Sequence, residues 1–369
     1  MLTRAMRRPY HLVFASIMLG ALGALAASTR SGDPLAAEVA RWSDYLRTNT
    51  STDEMWLQIK ESSAAAMARV ESAMKDGRRL LALQRLAAVA PNLESSEYLA
   101  SLSPEARQSD AAFETAWKAA GRDLSAELPP PKASALAGVA PAAVRGMGEA
   151  SLAQVRVFYD ASLEYERNTM PDAGYFYLGL AKAQRGFAEL CRSLSRPSSL
   201  KPPPLRSLAP ELDALEGELL AAYRPPASID RHKDFIGANA ALKEARELNA
   251  AGLAYGATLR YLDAVLRAAP LTGQTPALTK EEAARRLAEL EPRLANREGG
   301  VDQSLGRVFL EAAQADVASS AASNEPPAQA SAIVTSVLPR YFAALEPAKP
   351  AASKPAPEVT ITLVRWPYT

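Results

Sequence analysis

Arg156, Asp160, Glu164 and Arg167 recur at spacings of four, four and three, which sets all four on one face of a helix. Two carboxylates at a suitable separation can divide the acid and base roles of glycoside cleavage. Tyr159, Tyr165, Tyr175 and Tyr177 lie close by in sequence and are of a type that packs on sugars. The same alternation of charge also describes a solvated helix face, each pair worth about 0.2–0.5 kcal/mol. His232, within Asp230-Arg231-His232-Lys233-Asp234, is the other candidate, because a carboxylate can orient an imidazole as a general base. Adjacent helical residues diverge, however, and Asp230 reads equally as a first-turn acid favoured by the helix dipole. Asp160, Glu164 and His232 are the catalytic candidates.

Other chemistries lack their residues. His11 and His232 are the two histidines and Cys191 the one cysteine, too few for a zinc site of the Cys/His type. A di-iron bundle needs two Glu-x-x-His units and covalent haem needs Cys-x-x-Cys-His; neither occurs. Gly146-Met147-Gly148 is only a fragment of a dinucleotide-binding turn, and no Walker loop or Gly-x-Ser-x-Gly elbow is present. We therefore expect no metal and no cofactor. Cys191 falls in an apolar helical pattern with Phe187, Leu190 and Leu194, which reads as a buried, inert thiol.

The elements that must position these residues are helices. Alanine, leucine, glutamate and arginine dominate, β-branched residues are sparse, and proline runs such as Pro129–Pro131 and Pro202–Pro204 punctuate the chain. The expectation is an all-α fold, an elongated irregular array or bundle of about ten helices in hairpins. The expected spans are 34–48, 52–75, 77–89, 95–101, 104–122, 141–169, 172–194, 207–223, 229–268, 279–297, 302–322 and 328–345. Ser51-x-x-Glu54 and Thr279-x-x-Glu282 are capping boxes, and Ser103-Pro104-Glu105 is a further start signal. Leu242, Ala245, Leu248, Gly252, Tyr255, Leu259, Leu262 and Leu266 form one unbroken seam, so 229–268 reads as a rod of about 60 Å. Ala245 and Gly252 would let a neighbouring backbone come close, with a slot lined by Tyr255 and Tyr261 as the functional alternative. Leu248, Gly252, Tyr255, Ala264 and Pro276 fall at offsets similar to those of one tetratricopeptide unit, but Ala268 stands where that unit has an aromatic, and no family assignment follows.

Both ends differ from the body. Arg4, Arg7 and Arg8 precede an uncharged stretch from Leu12 to Ala27 that contains Ala24-Leu25-Ala26, the pattern of a secretory signal over residues 1–26. That run is shorter than the ~20 residues of a membrane helix, so no transmembrane span is expected in the mature chain. Removing it takes three of the 42 basic residues and none of the 41 acidic ones, leaving a net charge near −2. A nucleic-acid partner is not expected from that balance. At the other end, a Pro/Ala-rich linker from residue 346 leads into Val359, Ile361 and Leu363 alternating with Thr360 and Thr362, then Trp366 and Tyr368. This strand-like tail could add to a partner's sheet through its backbone or lie on its own helical body.

The domain reading is 1–26 signal, 34–124 N-terminal helical segment, 125–140 Pro-rich linker, 141–345 main helical domain and 346–369 linker and tail. The functional expectation is an exported binding or scaffold protein of the bacterial envelope, periplasmic or extracellular, docking a protein partner through Val359, Ile361, Leu363, Trp366 and Tyr368. Two alternatives remain open. One is a carboxylate-dependent hydrolase or lyase acting on envelope polysaccharide; the other is a carrier of apolar ligands, with a cavity between the seams around Phe187 and Tyr255.

Overall fold

The computed structural model describes residues 32–346 apart from 52–53, 133, 168–169, 204, 227, 274–275, 296–299 and 324. The signal and the tail residues Val359–Tyr368 lie outside the described residues. The described chain is all-α. Its helices are α1 (Pro34–Thr48), α2 (Glu54–Lys75), α3 (Arg79–Ala100), α4 (Pro104–Arg107), α5 (Asp110–Asp123), α6 (Ala142–Arg167), α7 (Pro171–Ser193), α8 (Ala209–Ala222), α9 (His232–Ala250), α10 (Ala254–Thr272), α11 (Lys280–Leu294), α12 (Ser304–Ser323), α13 (Ala328–Ala332) and α14 (Leu338–Leu345). A π-helical turn, Ile333–Val337, carries α13 into α14. No strand forms among the described residues; one isolated parallel bridge joins Lys201 to Val301.

The rod expected over 229–268 is two helices. Gly252, at φ +74°, stops α9: its amide bonds to the Asn249 carbonyl at 3.1 Å, and the Leu253 amide to the Leu248 carbonyl at 2.9 Å. This is the Schellman arrangement, in which a left-handed glycine lets the chain close back on the last helical carbonyls. α10 then folds back along α9. Gly77 ends α2 in the same way, with Arg78 bonded to the Ala73 carbonyl at 2.8 Å and Gly77 to Met74 at 3.1 Å. The break expected between 89 and 95 does not occur. α3 runs through the buried Pro91, forgoing the one intrahelical bond a proline cannot donate. The expected 104–122 helix is instead two, each started by its own serine, with Ser103 capping Ala106 and Ser109 capping Ala112. Thr279 caps the Glu282 amide at 3.2 Å, as its spacing implies.

Hairpins α2/α3, α6/α7 and α9/α10 make up much of the packing. α7 lies against both α3 and α6, which is why Leu178, Ala181, Ala188 and Cys191 are buried along with the expected seam residues Leu180, Ala183 and Phe187. α10 packs on α6 as well as α9, and α12 touches α3, α6, α11 and α13. One hydrophobic core takes Trp42, Leu86 and Leu93 together with Met147, Leu262 and Phe309, and so runs across the stretch 125–140. α6 and α10 approach each other closely. A Cβ on Gly146 would lie 2.9 Å from the Tyr255 carbonyl oxygen, and one on Gly256 would lie 3.0 Å from the Glu149 Cβ. Small residues at both positions bring the two backbones together.

Candidate functional site

The paired-carboxylate candidates sit on an open face. Asp160 and Glu164 are both exposed on α6, and Asp160 pairs with Arg156 at 3.3 Å. The four tyrosines do not gather around them as a sugar platform. Tyr159 and Tyr175 are buried in the packing of α5, α6 and α7. Tyr165 and Tyr177 stack on each other at 4.4 Å, each covering one face of the other. His232 is exposed at the start of α9, and its Nδ1 lies 2.7 Å from the Tyr223 hydroxyl rather than against a carboxylate. Tyr255 and Tyr261 are packed in the core, Tyr255 beneath the Arg145 guanidinium. Cys191 is fully buried beside Gly148, and burial pushes its thiol up to about 12. No group of histidine, cysteine and acidic side chains among the described residues could hold a metal ion.

Among the described residues, the buried carboxylates are three that the spacing of the sequence did not single out. Glu149, Asp302 and Glu311 are 0%, 4% and 7% exposed. Each accepts from the open N-terminal amides of a helix other than its own, groups that a helix cannot satisfy internally. Glu149 of α6 takes the Gly256 amide of α10 at 2.9 Å and the Arg145 guanidinium at 2.7 Å. Glu311 of α12 takes the Leu81 amide of α3 at 3.0 Å. Asp302, just before α12, takes the Ala142 amide of α6 at 2.6 Å and that of Ser304 at 2.9 Å, while the Ser304 hydroxyl takes the Ala143 amide. The bridge at Lys201 holds Asp302 in place, since the Asp302 amide donates to the Lys201 carbonyl at 2.7 Å.

Less buried side chains repeat the device. Asn249 holds the Leu208 amide at the start of α8, and Asp316 holds the Ala330 amide of α13. Burial raises Glu149 and Glu311 above the ordinary carboxylate range, although their hydrogen bonds and neighbouring arginines pull the other way. One signal for these residues is present in the sequence: Arg145-x-x-x-Glu149-Ala150 recurs as Arg307-x-x-x-Glu311-Ala312.

An apolar groove of about 510 Å³ lies between the end of α10 and α13, lined by Leu266, Ala269, Pro270, Pro276 and Ala332 among others. Leu220, Ile229 and Ile236 are exposed around the start of α9. No helix among the described residues is long and apolar enough to cross a membrane. Comparison of the chain with protein-family models, with curated proteins and with solved structures yields no match.

Proposed function

We propose that this chain is an exported binding or scaffold protein of the bacterial envelope, which docks a protein partner through Val359–Tyr368 and does no carboxylate chemistry. The observation that carries the reading is where the carboxylates are spent. Among the described residues the three buried carboxylates each hold the N-terminus of another helix, and Asp160 and Glu164 are exposed on α6, Asp160 paired with Arg156. A glycosidase of the expected kind would bring two carboxylates to opposite sides of one cleft. The apolar groove beside α13 and the exposed Leu220, Ile229 and Ile236 support contact with another protein. The basic, apolar, small-residue start of the chain supports export.

The test compares the mature protein with a version ending at Glu358, both checked for folding, in affinity capture from the native envelope and in incubation with purified envelope polysaccharide. A partner retained by the full chain and lost with the tail supports the reading. Release of soluble fragments from the polysaccharide that stops in an Asp160→Ala or Glu164→Ala variant overturns it.

A further inference from the structure

Two hairpins of this fold share one backbone plan and differ in the side chains at the start of the second helix. α2/α3 turns on Gly77 and α9/α10 on Gly252, both at φ +74°. The next residues, Arg78 and Leu253, have nearly the same backbone angles, φ −83°, ψ 70° and φ −86°, ψ 68°. In each hairpin the third amide of the second helix, Leu81 or Gly256, is taken by a glutamate with an arginine four residues before it. The residue preceding that amide is Tyr255 in one hairpin and Leu80 in the other.

Around Tyr255 the space is filled. The Arg145 guanidinium lies over the Tyr255 ring, 4.5 Å from its centre, and holds Glu149 at 2.7 Å. Leu80 has no ring to offer, and beside it is a cavity of about 290 Å³ whose lining includes Leu80, Arg307 and Glu311, the counterparts of the filled triad. Arg307 there is 49% exposed and only 3.4 Å from Glu311. The rest of the lining splits by chemistry: Leu35, Leu83, Val144 and Leu194 are apolar, while Arg79 and Arg196 bring the arginines to three against one glutamate. Arg79 stands where the filled hairpin has Ala254.

We propose that this cavity binds a small aromatic carboxylate. The ring takes the place beneath Arg307 that the Tyr255 ring takes beneath Arg145, where a planar guanidinium attracts a π-face. The carboxylate faces Arg79 and Arg196. The volume lies at the small end of ligand sites, which fits one or two fused rings. Glu311, fixed on the Leu81 amide at the cavity wall, disfavours phosphates and other multiply charged anions. The site is independent of the tail and of the docking reading above.

Titration calorimetry of the purified protein with 2-naphthoate tests this, with 2-naphthylmethanol and octanoate as comparison ligands. Saturable one-to-one binding of 2-naphthoate is expected, weakened at least tenfold in the neutral alcohol and in octanoate. Arg307→Gln is expected to weaken 2-naphthoate at least tenfold. Leu80→Tyr, which rebuilds the filled hairpin, is expected to abolish binding with the melting temperature kept or raised. Arg156→Gln, on the open face of α6, should leave binding unchanged. Absence of 2-naphthoate binding at millimolar concentration overturns the proposal, as does equal binding of the alcohol or of octanoate. Unchanged affinity in a folded Leu80→Tyr protein also overturns it. If that variant does not fold, Arg307→Gln and Arg196→Gln decide, both altering exposed side chains; unchanged affinity in both overturns the site.

Discussion

Replacing Glu149 by alanine removes two things at once. The Gly256 amide at the start of α10 loses its acceptor, and the Arg145 guanidinium loses its anion. An uncapped helix N-terminus costs about 0.5–2 kcal/mol, and breaking a buried ion pair by deleting one partner costs about 3–5 kcal/mol. These overlap, because one carboxylate makes both bonds, and Arg145 at 21% side-chain exposure can recover some water. The expected loss is therefore about 3 kcal/mol. Glu149→Gln keeps an acceptor for Gly256 but turns the other oxygen into an NH2 donor facing the donor groups of Arg145. It should lose about 1–2 kcal/mol, roughly the cost of one buried hydrogen bond left unmade. Asp160→Ala, which breaks only an exposed pair, should change stability by less than about 0.5 kcal/mol. Urea unfolding followed by far-UV circular dichroism, extrapolated linearly to water, measures all three. If Glu149→Ala were as stable as the parent, the buried carboxylate would not be what holds α10 on α6, and the structural account of all three acids would lose its footing.

Glycine substitutions should split in sign. Gly217→Ala in α8 meets nothing within 4 Å and should gain about 0.5–1 kcal/mol, whereas Gly146→Ala meets the Tyr255 carbonyl and should lose about 1–2 kcal/mol net; thermal unfolding distinguishes them. Cys191 should resist a maleimide in the native protein and react fully once denatured, because it is buried and its thiolate is strongly disfavoured; rapid native labelling would contradict that. Burial raises Glu94, Glu149, Glu244 and Glu311 above the ordinary carboxylate value of about 4.3, so the folded protein holds more protons than the unfolded chain just above that pH. Stability from these groups should fall as pH rises through their raised values and then level off, with a shallower fall in Glu149→Gln. Asp123, lowered chiefly by its hydrogen bond to Arg185, acts in the opposite sense: its contribution is present above the ordinary carboxylate range and is lost as pH falls toward its depressed value. Urea midpoints measured between about pH 4 and 7 test the first trend, and a steady rise over that range would contradict it.

What could be read in the sequence was what is decided locally. Thr279 and Ser103 cap helices because their partners lie three residues away. The seam through Leu242, Leu248, Tyr255 and Leu262 is buried as its spacing implies, yet it concealed the turn at Gly252. Both helices of that hairpin turn an apolar face to the same core, so the period runs on in step across the break. The break expected between 89 and 95 is absent because packing on both sides of α3 outweighs the one hydrogen bond lost at Pro91. The acids that matter to the fold were hidden by distance. Glu149 meets Gly256 across 107 positions and Glu311 meets Leu81 across 230, so local spacing does not connect them. Asp160 and Glu164 drew attention because they are regularly spaced, and regular spacing on an exposed helix is the product of solvation.

The caps on α3 and α6 also set a timetable. Synthesis delivers Leu81 and Ala142 long before Glu311 and Asp302, by 230 and 160 residues. Until that late segment arrives, both early helices end in bare amides and their core lacks α12. Closing loops of such length is also slow, because their entropy must be spent before the contacts return it. A nascent chain cut short before residue 302 would therefore remain loose, and the complete one would fold only once the segment beginning at Asp302 is in place. Under the export proposed above, delayed closure would keep the crossing chain narrow, and the same carboxylates would then lock it on the far side.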